Sequence, residues 1–170
     1  MKSILLLSDT HGYLDSRIGK YAGAADEIWH AGDIGTIAVT DALREYKPVK
    51  AVYGNIDGQE VRKAWPLDQR FHCEEVDVWI THIGGYPGHY APDVRLKLKA
   101  APPKLFICGH SHILRVMYDK SLGFLHINPG AAGVSGFHKV RTMVRFKIDG
   151  ANIRDLEVVE LGPRSTGTTP

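Results

Sequence analysis

The pattern of apolar and polar positions divides the chain into two halves. In the first half, apolar runs that stop at polar turns alternate with segments of helical spacing. Ser3–Ser8, apolar from Ile4 to Leu7, is closed by Asp9-Thr10-His11-Gly12, as expected of a strand buried on both faces. Ser16–Ala25 predicts a short helix with Ser16 as its candidate cap. Glu27–His30 predicts a second strand, followed by Ala31-Gly32-Asp33. Thr36–Tyr46 predicts a helix with Ile37, Leu43 and Tyr46 on one face, ending before Pro48. Val49–Tyr53 predicts a third strand that runs into Gly54-Asn55. Strand, helix, strand, helix, strand implies α/β with parallel pairing at its centre.

The second half is richer in strands. Phe71–Glu75 and Val76–Thr81 predict adjacent short strands, and Lys104–Cys108 another, closed by Gly109-His110-Ser111-His112. Leu114–Tyr118 and Phe124–Ile127 can pair across Lys120–Gly123. Thr142–Ile148 and Asn152–Val159 flank Asp149-Gly150, a strong hairpin signal. Pro92–Ala101 carries two patterns. Val94, Leu96 and Leu98 alternate with Arg95, Lys97 and Lys99, whereas Pro92 at the start and Pro102-Pro103 at the end suit a helix, and a helix is expected. Two sheets packed face to face with helices outside satisfy both halves. One domain is expected over residues 1–162, with a frayed tail from 163 to 170.

With 170 residues, a single core needs no disulfide staples. Twenty-one basic against nineteen acidic residues leave +2, which is no footprint for nucleic acid. Cys73 and Cys108 make no disulfide framework and are expected as reduced apolar thiols. The apolar run near the start is too short for a membrane span or a leader core, so a cytoplasmic location is expected. Glycine is in excess at 18 residues, which implies many tight turns.

Several of those turns carry chemistry. Asp9 and His11, Asp33, Asn55, His82, and His110 with His112 all lie just past predicted strand ends. In α/β folds that edge is where ligands bind. Asp9-x-His11 and His110-x-His112 are pairs that one loop can aim at one point. Imidazole plus carboxylate suits Mn, Fe, Zn or Co better than Ca or Mg alone. Gly12, Gly32, Gly54 and Gly109 sit beside these groups and permit close backbone approach. Each residue also has an ordinary reading. Asp9 could cap the first helix, Asp33 and Asn55 could be turn residues, and His82 could be a core histidine. The series favours ligands over turns.

Asp9-x-His11, Gly32-Asp33, Gly54-Asn55, His82 and Gly109-His110-x-His112, in this order, resemble the signature of calcineurin-like metallophosphoesterases. The small single-domain branch, related to the retromer subunit of vacuolar sorting, is the most similar. Asn128-Pro129-Gly130 resembles a late motif of that branch, and the likeness runs from residue 3 to about residue 148. The resemblance implies a four-layer α/β/β/α sandwich of two mixed sheets. It implies one ion held by Asp9, His11, Asp33 and His112, and another by Asp33, Asn55, His82 and His110, with Asp33 shared. It implies a phosphodiesterase in which two divalent ions, Mn²⁺ first and Fe, Zn, Co or Ni as alternatives, activate a water for in-line attack on phosphorus. A small phosphoester substrate is expected, and a homodimer is compatible with the branch.

The chain departs from the larger relatives after Gly54-Asn55. Those relatives carry a histidine credited with protonating the leaving group, and here the position is Ile56, followed by Asp57. Losing a general acid typically costs roughly 10²–10⁴-fold. His138, His30 and Asp57 are the candidate replacements, in no order, so the candidate catalytic residues are Asp33, Asn55 and His138. His82 is followed by Ile83-Gly84-Gly85, without the second histidine common in the branch.

Other residues admit two readings each. His30 can orient a ligand from behind, and the Gly133–Lys139 stretch can border the substrate. Lys139 and Arg141 can meet phosphate or sit on a solvated face, and the Gly84–Tyr90 loop can line the pocket or be plain surface. His72, His89 and His126 are expected on the surface or in the core, and Trp29, Trp65 and Trp79 in the core or an interface. Two rival functions are a non-catalytic scaffold on the same fold and a nuclease. The complete ligand set opposes the first, and the low net charge opposes the second.

Overall fold

The computed structural model of the chain describes residues 1–165. Two five-stranded sheets are stacked face to face, one in the order β10-β9-β1-β2-β3 and the other β4-β5-β6-β8-β7. In the first, β1 (Lys2–Leu7), β2 (Glu27–His30) and β3 (Val49–Ala51) run parallel, and β9 (Val140–Asp149) and β10 (Asn152–Pro163) join antiparallel beside β1. In the second, β5 (Val76–Thr81), β6 (Leu105–Ile107) and β8 (Phe124–Asn128) are parallel. β4 (Asp68–Cys73) and β7 (Arg115–Asp119) form its antiparallel edges. Both sheets are therefore mixed.

Alternation along the strands builds the layers. Ile4 and Leu6 point between the sheets with Trp29, Val78, Ile80, Ile107 and Phe146. Leu5 and Leu7 point outward, where Ile18 and Ala22 of α1 (Ile18–Ala24), Val39 and Leu43 of α2 (Ile37–Arg44), and Val61 of α3 (Gln59–Ala64) cover them. On the opposite outer face, Val94 and Leu98 of α4 (Pro92–Ala100) seal Trp79, Phe106 and Phe124. Helix, sheet, sheet, helix is the expected four-layer sandwich.

Differences lie at element ends. Pro92 opens α4, and Val94 and Leu98 are buried at helical spacing while Leu96 is exposed, so the alternation there is coincidental. Ser16 does not cap α1, which starts after Arg17; Asp15 instead accepts from the Arg17 N–H at 2.8 Å. Tyr46 is exposed, and α2 buries Val39, Thr40 and Leu43. α3 lies in a stretch given no element from sequence. The strand ladder also passes residue 162. Pro163 pairs with Val140, and the Arg164 N–H donates to the Lys139 carbonyl at 2.8 Å. Residues 166–170 of the expected tail lie outside the described residues. Cys73 and Cys108 are buried and free, and burial pushes the Cys108 thiol up to about 12. All three tryptophans are buried. No helix among the described residues is long and apolar enough to cross a membrane.

Candidate metal centre

The carboxyl ends of β1, β2, β5 and β6, with the turn after β3, open toward one point, so short loops suffice to bring their polar side chains together. The backbone there is unusual. Asp9, His11, Asp33, His110 and His112 all have positive φ, between 46° and 71°, a region that side chains with a Cβ seldom enter. Only Glu74 and Asp155 share that conformation among the other non-glycine residues described. Strain of this kind costs about 1–3 kcal/mol per residue and persists where the surrounding structure holds it. Gly54 shows why no other residue fits its turn: a Cβ there would lie 2.1 Å from Asp33 Oδ1.

The side chains converge in two clusters, Asp9 with His11 and His112, and Asp33 with His82 and His110. Asp9 Oδ2 is pinned by Ser8 Oγ at 2.7 Å and the His110 N–H at 3.1 Å. Its Oδ1 is left 3.2 Å from His112 Nε2 and 3.7 Å from His82 Nε2. Asp33 Oδ1 accepts from the Ile56 N–H at 3.1 Å. Asp33 Oδ2 lies between the clusters, 3.4 Å from His11 Nε2 and 3.2 Å from His82 Nε2. Asn55 Oδ1 is 3.0 Å from His110 Nδ1. Two ligands at about 2.1 Å from one ion and at right angles to each other are themselves about 3.0 Å apart. All seven residues singled out as candidate ligands thus lie together at one place, with Asp33 Oδ2 between the two clusters.

Three buried atoms here, Asp9 Oδ1, His11 Nε2 and His82 Nε2, have no hydrogen-bond partner. An unsatisfied buried polar group costs about 1–3 kcal/mol. Two carboxylates and several imidazole lone pairs around one small space form the donor set of a divalent cation, and the residues fit such ions. Burial pulls the Asp33 carboxyl upward, but His11 and His82 outweigh it and hold it well below the usual carboxylate range. Asp33 raises His11, against burial. Burial lowers His82, and Asp33 with Asp9 more than offsets it, so His82 is raised.

Outer partners set the tautomers. His82 Nδ1 donates to the Ala31 carbonyl at 2.7 Å, which leaves the Nε2 lone pair facing the site. His138 Nε2 donates to the Gly133 carbonyl at 2.8 Å, so its Nδ1 can only accept, and the group 3.3 Å away is His112 Nδ1. That proton on His112 Nδ1 leaves its Nε2 lone pair aimed at Asp9. A fully buried His30 takes the Gly32 N–H on Nδ1 and faces Thr10 Oγ1 at 3.0 Å, bracing the loop after β1 against the loop after β2. Burial pushes His30 down to about 4. Asp57 accepts from the backbone N–H groups of Ile34, Gly35 and Gly54.

None of the three candidate acids therefore presents a free proton to a leaving group. His30 and Asp57 tie loops together, and His138 holds His112. Arg141 meets neither phosphate nor solvent: it is buried against Asp15 at 2.7 Å. Lys139 is exposed. The Gly84–Tyr90 loop does line a cavity, through Gly85, Tyr86, His89 and Tyr90. Sequence reasoning missed Ser8, the Ala31 and Gly133 carbonyls, and the His138–His112 contact. Only Ser8, adjacent to Asp9, left a local signal.

Two stacked mixed sheets with an Asp/His/Asn cluster at their strand ends define a metallophosphoesterase-type scaffold. Residues 1–151 match the calcineurin-like phosphoesterase superfamily domain, and the chain belongs to that family. A probable metallophosphoesterase of Mycoplasma pneumoniae is 30% identical over 169 residues, spanning 92% of this chain and 96% of that protein. Among solved structures, Vps29 of Chaetomium thermophilum superposes with a TM-score of 0.72 at 18% identity, covering 95% of this chain and 97% of the other. A structure described as a novel archaeal phosphodiesterase superposes with a TM-score of 0.70 at 21% identity, covering 92% and 99%.

Proposed function

We propose that the protein is a metal-dependent phosphodiesterase acting on small phosphoesters. One ion would be held by Asp9, His11, Asp33 and His112, the other by Asp33, Asn55, His82 and His110, with Mn²⁺ the first candidate. The observation that carries this reading is the convergence of six Asp and His side chains, with Asn55 against His110, on a space where three buried polar atoms lack partners. Bound there, two divalent ions supply Lewis acidity to the phosphoryl oxygens and an activated water at neutral pH.

The chain's own residues fix the arrangement. Ser8 and the His110 N–H turn the Asp9 carboxylate so that Oδ1 faces the site. The Ile56 N–H turns Asp33 so that Oδ2 is shared between the two clusters. Ala31 and His138 set the imidazoles of His82 and His112. At residue 56 the chain offers only this N–H, and its isoleucine side chain is exposed and cannot donate. Without a side-chain acid, leaving groups that depart unprotonated are preferred.

The test is hydrolysis of bis(4-nitrophenyl) phosphate and 4-nitrophenyl phosphate by Mn²⁺-loaded protein, with an EDTA-treated control. The diester is expected to be cleaved faster, and EDTA to abolish the reaction. A scaffold role is the second reading, favoured by the exposed apolar side chains of Val116, Met117 and Tyr118 on the edge strand β7. Stoichiometric metal binding without cleavage of any ester would select it.

A further inference from the structure

We propose that Arg115 is a second anion-recognition point beside the metal centre, and that the preferred substrate is a phosphodiester whose other arm ends in a further phosphate-like group. This inference rests on the phosphodiesterase reading and names its substrate class.

A cavity of about 270 Å³ opens next to His110, between the Gly85–Tyr90 loop and the start of β7. His110, Ser111 and Arg115 line it together. No Asp, Glu or Lys lines it, so Arg115 is its one permanent charge among the described residues. The buried His126 belongs to the lining, and burial, reinforced by Arg115, pushes it down to about 4, so it is neutral at pH 7.

Arg115 itself is held but unpaired. Its guanidinium lies over the Tyr86 ring, 3.9 Å from the centroid. The Tyr86 ring in turn packs against His89, with ring centroids 4.8 Å apart. Among the described residues, Arg115 makes no hydrogen bond or ion pair. Arg17, Arg62, Arg70, Arg141, Arg145, Arg154 and Arg164 all reach a carboxylate or a carbonyl. Arg44 and Arg95 reach none, and both are exposed, whereas Arg115 is half-buried.

A partly desolvated guanidinium without an acceptor is costly, and a flat fork of five N–H donors matches an oxyanion edge. The cation–π contact with Tyr86 holds the guanidinium in place before any ligand arrives. Ser111 Oγ accepts from Ile113 N–H at 3.2 Å and Asn128 Nδ2 at 3.1 Å, which leaves its hydroxyl proton free to donate. The cavity sits at the low end of small-ligand sites and suits a short arm.

The test uses two 4-nitrophenyl phosphodiesters that differ only in the second arm, propyl or 3-phosphonopropyl, with Mn²⁺-loaded protein. In the native chain kcat/KM is expected to favour the phosphonopropyl ester by about tenfold or more, the worth of one charge-assisted hydrogen bond. Arg115→Gln is expected to bring the ratio close to one, Arg115→Lys to restore part of it, and Arg95→Gln to leave it as in the native chain. A native ratio near one, or a ratio that Arg115→Gln does not move, overturns the proposal. If neither ester is cleaved, the phosphodiesterase reading falls, and the two esters are used as ligands in calorimetry. Tighter binding of the phosphonopropyl ester that Arg115→Gln removes still supports the recognition point, and equal binding overturns it.

Discussion

The two clusters of candidate ligands meet at one carboxylate oxygen, Asp33 Oδ2, but are built differently. Around Asp9, His11 and His112 the groups are buried or half-buried, and the positions of Asp9 and His112 are fixed by Ser8, the His110 N–H and His138. Around Asp33, the buried His82 is fixed by Ala31, but His110 and Asn55 are exposed. Among the described residues, the one side-chain hydrogen-bond partner of His110 is Asn55 itself. One cluster is closed and braced, and the other opens to the cavities that flank it. Preorganised ligands lose less freedom when they bind, so the braced cluster should hold its ion more tightly. The open cluster faces the Arg115 cavity and is the side a substrate arm can enter.

The largest expected effect removes what the clusters share. Asp33→Asn should reduce the bound metal below two ions per chain and lower diester hydrolysis on the order of 10³-fold, a loss comparable to removing a principal electrostatic group. Metal analysis of the purified variant beside its rate checks both. His110→Ala should weaken the ion of the open cluster by more than roughly 100-fold, beyond what loss of an outer partner causes, and leave the other in place. His138→Ala should do the reverse and more mildly, weakening the braced cluster's ion about 10–100-fold. His138→Gln, which can still offer an acceptor to His112 Nδ1, should recover part of that loss.

The smallest effect lies outside both clusters. An unfolded imidazole takes its proton near pH 6.5, whereas His126 resists until about 4. Between those values the unfolded chain binds more protons, so acid destabilises the fold, and this contribution is fully present above pH 6.5. Urea unfolding at pH 7.5 and at pH 5 should show the native chain losing up to about 2 kcal/mol more than His126→Gln. A larger pH-dependent difference would mean that the variant had disturbed a cluster as well.

The candidate ligands were also unequally legible in the sequence. Asp9, His11, His110 and His112 stand at i, i+2 spacing where apolar strands stop, so chain order alone marks them as groups aimed at one place. Asp33 and Asn55 follow glycines at strand ends and are legible only within that series. Apart from Ser8, adjacent to Asp9, what holds these groups was not legible. His138 meets His112 across 26 residues where Gly136 passes close against both rings, and no spacing announces it. Asp57 looks like an acid placed beside Asn55, yet three backbone N–H groups claim it. The fold followed the same rule. Strands with strong alternation or apolar runs were legible, whereas α3, six residues with one buried side chain, had too little periodicity to find. Arg115 is the first residue of an edge strand, and only the cavity around it gives it meaning.

The most direct test is calorimetric titration of metal-free protein with Mn²⁺, repeated on Asp33→Asn. Two sites of unequal affinity are expected in the native chain, with both weakened together in the variant. A single site, or two sites that Asp33→Asn leaves unaltered, would contradict a centre built around one common carboxylate.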